Sequence, residues 1–220
     1  MTEGQPHGFR DPTQLTNWTR SFLCAFIGVA IFSAAAGTAE LLGYRPESPS
    51  PLFLLLAVPW VLVMAGVGLT TMILVLVWIH RANYNARQLG ATGLEMSPGW
   101  AVGWYFVPIA WFWKPYQAMK EIWQASVSPK HWSRQAGSPL LGWWWALWLL
   151  QGWGPTLAAG GPVHIYSGRA ETVVVRTETL TAAAEVAAEI LAVPMTLALL
   201  MIIDRIHSLQ MGHFRSQTEG

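Results

Sequence analysis

Glu185 and Glu189 are the residues whose type and spacing first suggest chemistry. Four residues apart, they share one face of a helix, and they stand just before the uncharged run Ile190–Ile203. A charged side chain carried toward the middle of a bilayer costs about 2.5–3.5 kcal/mol on insertion scales. A pair placed there could take up a proton, hold a cation or meet a basic group. Glu185 also has a plainer reading, as a carboxylate in the favourable first turns of a helix N-terminus.

A second group surrounds His80, Arg81, Asn83, Tyr84, Asn85 and Arg87. His80, Asn83, Tyr84 and Arg87 fall on one helical face. Asp204, Arg205 and His207 close a later apolar run and should reach the same membrane depth. Arg81 with Asp204 is the expected ion pair. His80 and His207 could meet as metal or haem ligands, but no His-x-x-His or Cys-x-x-Cys spacing supports that. Interfacial anchoring explains the same residues without a ligand.

The third group is the stretch Ser97–Trp123, broken by Pro98, Pro108 and Pro115. Trp100, Trp104, Trp111 and Trp113 could line a pocket for a lipid, or form an interfacial belt. Lys114, Tyr116, Lys120 and Glu121 could meet acidic head groups. Gly99 and Gly103 lack the strand and lysine of a phosphate loop. No Ser-His-Asp set can be assembled. The sequence therefore assigns no catalytic residue, no metal and no cofactor.

These residues must be held by a membrane architecture. Apolar residues make up 53% of the 220 and charged residues 11%, under half the usual charged share of a soluble domain, about 25%. So few charges cannot cover a soluble surface. The 14 Trp suit membrane interfaces, where an indole buries its ring and keeps its N–H wet. A net charge of +1 leaves no field to gather nucleic acid. The single cysteine, Cys24, excludes an internal disulfide.

The chain divides as follows. Residues 1–20 form a polar cytoplasmic tail, and residues 21–208 form one membrane domain. Spans are expected over about 21–42, 52–80, 138–159 and 181–204, with a Trp/Pro-rich re-entrant or interfacial helical element over 97–124. A cytoplasmic tail, 209–220, follows. Phe22–Phe32 and Ala34-Ala35-Ala36 could also be a signal-peptide core and cleavage site, but the long leader carries Glu3 and Asp11 and fits poorly. Gly43–Pro51 is a proline-rich turn. Pro59 should kink the second span, and Gly66 and Gly68 should allow close helix approach. Gly90 and Gly93 end its polar extension. Gly160–Thr177 reads as a polar loop, with Thr172–Val175 as a short strand.

The last span decides the place of the two carboxylates. Its uncharged part, Ile190–Ile203, makes only about 21 Å of helix at ~1.5 Å per residue, short of a ~30 Å hydrocarbon core. It must begin near Thr181 and so include both. With four spans, Arg10, Arg20, Arg81, Arg87, Lys114, Lys120, Lys130, Arg134, Arg205 and Arg215 share one side. Only Arg45, Arg169 and Arg176 face the other. That bias places both termini in the cytoplasm. A fifth crossing at 100–113 would erase most of it.

The pattern from Trp78 to Ser126 resembles a bacterial membrane family of unknown function, domain of unknown function 4328. The residues that carry it are Trp78-Ile79-His80-Arg81-Ala82-Asn83-Tyr84-Asn85-Ala86-Arg87-Gln88-Leu89-Gly90, then Ser97 to Ile109, then Lys114-Pro115-Tyr116-Gln117-Ala118-Met119 and Glu121-Ile122-Trp123. The resemblance implies a multi-pass bacterial membrane protein and lends no activity; the expected location is the inner membrane, with both termini cytoplasmic. Where the family pattern is expected to show Asn and Leu after Pro108, this chain has Trp111 and Phe112. The expected function is a membrane interaction, scaffold or lipid-associated protein, with lipids and a protein at the cytoplasmic face as partners. The alternative is a small transporter using Glu189.

Overall fold

The computed structural model describes residues 8–44, 51–158 and 170–219. Among these the fold is all-helical. The helices are α1 (Thr13–Leu41), α2 (Pro51–Gln88), α3 (Pro98–Gly103), α4 (Lys114–Val127), α5 (Pro139–Ala158) and α6 (Ala170–Thr218), with short 3₁₀ turns at Trp104–Phe106, Ala110–Phe112 and Pro129–Arg134.

The long helices start and stop for local reasons. Asp11 accepts the Thr13 N–H at 2.8 Å, ahead of the first turn of α1. Gly43 (φ +88°) ends that helix, with Tyr44 N–H reaching Ala39 O and Gly43 N–H reaching Glu40 O, both at 3.0 Å. Gly90 (φ +103°) ends α2 in the same way: Ala91 N–H reaches Ala86 O and Gly90 N–H reaches Arg87 O, both at 3.1 Å. Each pair closes the last carbonyls through a left-handed glycine. Pro51 opens α2, where its missing N–H costs nothing. The helix carries Pro59 within it, and α6 carries Pro194.

Three helices, Thr13–Leu41, Ala57–Gln88 and Leu180–Thr218, are long and apolar enough to cross a membrane. Only 11% and 17% of the apolar windows of the first two are buried within the protein. Many of their aliphatic side chains, among them Ile31, Val61, Leu62, Leu69 and Ile73, are therefore exposed, as lipid contact requires. The expected span 138–159 falls on α5, whose side chains beyond 153 lie outside the described residues.

The structure differs from the sequence reading in several places. Thr172–Val175 is helical, not a strand, because nothing between Ala170 and Val193 breaks α6 and the segment is rich in alanine. Both polar ends carry helix: α1 already starts at Thr13 and α6 runs on to Thr218. Gly66 and Gly68 face open space, so they do not mark a close helix approach. That role falls to Gly37, where an added Cβ would lie 2.7 Å from Val186 Cγ2. The proline turn at 45–50 and residues 159–169 of the expected loop lie outside the described residues.

The chain forms two compact units. The first comprises Met1–Leu23, Leu69–Trp143 and Ala198–Gly220. Its core holds Trp78, Ile79, Leu89, Met119, Ile122, Leu141, Ile202, Ile203 and Ile206. The second comprises Cys24–Gly68 and Trp144–Leu197. There small residues dominate the buried set, with Ala30, Ala34 and Ala192 beside Trp144, Trp145 and Met195. Phe32 packs on Trp60 at 4.4 Å between ring centroids.

Candidate functional site

In the first unit, a polar cluster grows from the end of α2. Gly90 and Gly93 turn the chain into the segment Ala91–Ser97, where Trp132 Nε1 donates to Thr92 O at 2.8 Å and three further side chains hold Leu94, Glu95 and Met96. Arg87 donates to Met96 O at 2.6 Å, to Leu94 O at 3.2 Å and, through Nε, to Asn83 Oδ1 at 3.2 Å. Asn83 Nδ2 also donates to Met96 O at 3.2 Å. From α4, the Glu121 carboxylate accepts the N–H groups of Glu95 and Met96. The Met96 peptide is thus held from both ends. Burial pushes the Glu121 carboxyl above the usual carboxylate range, against the pull of those two N–H groups and of the Arg87 charge.

The start of the described chain and the end of α6 close on the same unit. Asn85, fully buried, bonds the backbone of Arg10, and the Arg10 guanidinium lies 4.8 Å from the Tyr84 ring centroid. Phe9 stacks on Phe214 at 4.3 Å. Gln210, buried, donates to Ala82 O at 2.9 Å and to Ser126 Oγ at 3.0 Å. His213 Nε2 sits 3.1 Å from Ser126 O. Trp78 Nε1 donates to Thr16 Oγ1 at 3.1 Å, and Arg20 Nε pairs with Asp204 Oδ1 at 2.5 Å.

The aromatic stretch follows Ser97. Ser97 Oγ caps α3 by accepting the Trp100 N–H at 3.2 Å, and Pro98 occupies the first turn. The chain then reverses at Pro108-Ile109-Ala110. Ala110 N–H reaches Pro108 O at 2.8 Å, and Ile109 takes φ +68°, ψ −52°. This is a γ-turn with positive φ, a strained form and an outlier for a β-branched residue. The reversal exposes apolar side chains: Ile109 is 71% exposed and Phe106 66%, with Trp100, Phe112 and Trp113 also exposed. Behind it, Glu95, Met96, Trp100, Trp104 and Lys114 line a cleft of about 190 Å³. The two indoles lie 4.8 Å apart, and Lys114 Nζ is 5.5 Å from the Trp104 centroid.

Of the residues singled out from sequence, Asn83, Arg87 and Glu121 converge on the 91–97 segment. Asn85 turns instead to Arg10, and Lys114 to Trp104. Tyr116 and Arg81 are half-buried, and Arg205 is exposed. Along that face of α2 burial changes, with His80 exposed and Asn83 buried, and Trp78, Ile79 and Ala82 are buried beside Asn83. Asp204 pairs with Arg20, not with Arg81. His207 contacts Thr16 at 3.4 Å, and no group of three metal-ligating side chains occurs among the described residues. Trp111 and Trp113 do not line the cleft. In the second unit, Glu185 and Glu189 line an open cleft of about 250 Å³ with Ser33, Gly37, Glu40 and Met64. No basic side chain lines it among the described residues, and carboxylates alone select no ligand.

Sequence reasoning missed Gln210, Ser126, Arg10 and Arg20. All lie in polar stretches that read as surface, and only helix phase against a partner reveals the buried ones.

Three long apolar helices that could cross a membrane, joined to a buried polar cluster, define an all-helical protein. Residues 53–208 match the family described as domain of unknown function (DUF4328), and the chain belongs to that family. Neither a curated protein nor a solved structure matches it. Arg10, Thr16 and Arg20 precede the matched region, whereas their partners Asn85, Trp78 and Asp204 lie within it.

Proposed function

We propose that this is a lipid-associated integral membrane protein whose element 97–124 enters the bilayer interface and turns back. One observation carries the reading: the strained reversal at Ile109 exposes Phe106, Ile109, Phe112 and Trp113 together. Exposed aromatic and aliphatic side chains at one chain reversal are costly in water and favourable in an interface. Four spans, two cytoplasmic termini and a bacterial inner membrane fit the bias of basic residues described above. The polar cluster around Met96 then gives the element a fixed base, from which it meets lipid or a protein at the cytoplasmic face. The carboxylates at Glu185 and Glu189 lend transport no comparable support.

Two labels test this in a Cys24→Ala background. Lys130→Cys should resist an impermeant thiol reagent applied outside intact cells. A fluorophore at Ile109→Cys should be quenched by brominated acyl chains. Labelling of residue 130 from outside would refute the topology, and an unquenched residue 109 would refute the interfacial element.

A further inference from the structure

We infer that the cleft bounded by Glu95, Trp100, Trp104 and Lys114 is a headgroup site for an aminophospholipid, a lipid that carries both a phosphate and a primary ammonium. The inference rests on the interfacial placement of the 97–124 element proposed above and names what that element holds. Glu95 comes from the segment after α2 and Lys114 from the first residue of α4. They line one cleft with opposite charges, and no ion pair joins them. The Trp100 and Trp104 indoles, tilted by 34° to one another, line the same cleft.

Each part of the headgroup has a partner of matching chemistry. The phosphate suits Lys114 as a point charge. The ammonium suits Glu95 and the indole faces, since tryptophan is the best aromatic host for a cation. A headgroup without an ammonium would satisfy Lys114 but bring its negative charge near Glu95. A trimethylated amine would suit the indoles but could donate no hydrogen bond to the carboxylate. At about 190 Å³ the cleft is smaller than a typical small-molecule pocket of roughly 300–1,000 Å³. It therefore takes a headgroup, leaving the acyl chains to the exposed apolar side chains beside it. Its floor is rigid, because Met96 is held by Arg87, Asn83 and Glu121.

The test uses the full chain in detergent, titrated with short-chain phosphatidylethanolamine, phosphatidylglycerol or phosphatidylcholine, with retained lipid counted by native mass spectrometry. Phosphatidylethanolamine should be retained about fivefold more tightly than either of the others, roughly one charged contact near a membrane surface. Glu95→Gln should abolish that preference, and Lys114→Ala should weaken phosphatidylethanolamine and phosphatidylglycerol alike. Glu95→Gln should keep the parent's melting temperature in detergent and still retain phosphatidylglycerol, which rules out a general loss of fold. Equal retention of the three lipids, or a preference that survives Glu95→Gln, would overturn the site. Glycerophosphoethanolamine, which has no acyl chains, should not bind at these concentrations; binding as tight as the lipid would make the ligand a soluble phosphate ester. Quenching of a residue-109 fluorophore without headgroup preference defeats this inference alone. Absence of both defeats the interfacial reading beneath it.

Discussion

Asn85 holds Arg10 in both directions. Its Oδ1 accepts the Arg10 N–H at 3.1 Å, and its Nδ2 donates to the Arg10 carbonyl at 2.8 Å. A side-chain amide here does the work of a neighbouring strand. Asn85→Ala leaves both backbone groups without that partner, at a cost of about 1–3 kcal/mol. Asn85→Asp keeps the acceptor but sets a carboxylate against the Arg10 carbonyl, and should cost at least as much. Thermal unfolding in detergent measures the loss. Proteolysis near residue 10 should accelerate in both variants, and unchanged cleavage would refute the pin.

Glu121 should give stability a pH slope. Burial raises its folded-state value above that of the unfolded chain. Its contribution is therefore complete below the unfolded value, about 4.3, and is lost as pH rises through the folded value. Stability measured by denaturant from pH 4 to 8 should fall across that window, and Glu121→Gln should flatten the fall. Gln also loses one acceptor for the Met96 or Glu95 N–H, so its absolute stability should drop by about 1 kcal/mol or more. The slope, not the level, tests the assignment.

Ile109→Gly separates strain from membrane contact. Positive φ at a non-glycine residue costs on the order of 1–3 kcal/mol, and glycine removes that cost while adding unfolded-state entropy of about 0.5–1 kcal/mol. The variant should be as stable as the parent, or more stable by about 1 kcal/mol. Reconstituted in bilayers, a fluorophore at Phe112→Cys in the Cys24→Ala background should nonetheless be quenched less by brominated acyl chains, because the reversal loses its most exposed side chain. A clear drop in melting temperature would show that Ile109 packs against something within the protein.

Gly37 and Gly66 should respond oppositely to alanine. At Gly37 the new methyl would meet Val186 Cγ2 at 2.7 Å, and overpacking of that kind costs roughly 1–3 kcal/mol. At Gly66 nothing lies within 4 Å, so alanine should add helix propensity worth about 0.5–1 kcal/mol. Melting temperatures of the two variants decide the matter, and a neutral Gly37→Ala would place the helices further apart at Val186.

The uncharged runs revealed α1, α2 and the later part of α6, because a bilayer demands a length of apolar helix that composition alone discloses. Gly90 was equally legible, since a glycine between a helical pattern and a loop has a specific left-handed role. Helix neighbours were not legible. Asp204 could have met Arg81 or Arg20 by depth alone, and which helix lies alongside α6 at that level decides for Arg20. Glycines misled for the same reason: Gly66 and Gly68, which lack the full small-residue spacing, face open space, and a close approach falls at Gly37. Buried Gln210 and Ser126 were invisible because a lone amide and a hydroxyl in polar surroundings look solvated until both appear in one interior.

The first unit draws on three separated stretches, and the stacking of Phe9 on Phe214 joins two of them. During synthesis the earliest of these aromatic rings must wait for one of the latest. Until the final turns of α6 leave the ribosome, Ala82 O and Ser126 Oγ lack Gln210. Assembly of this unit is therefore a late event in synthesis. A nascent chain stalled before residue 210 would leave an unfinished polar interior for quality-control proteases to find.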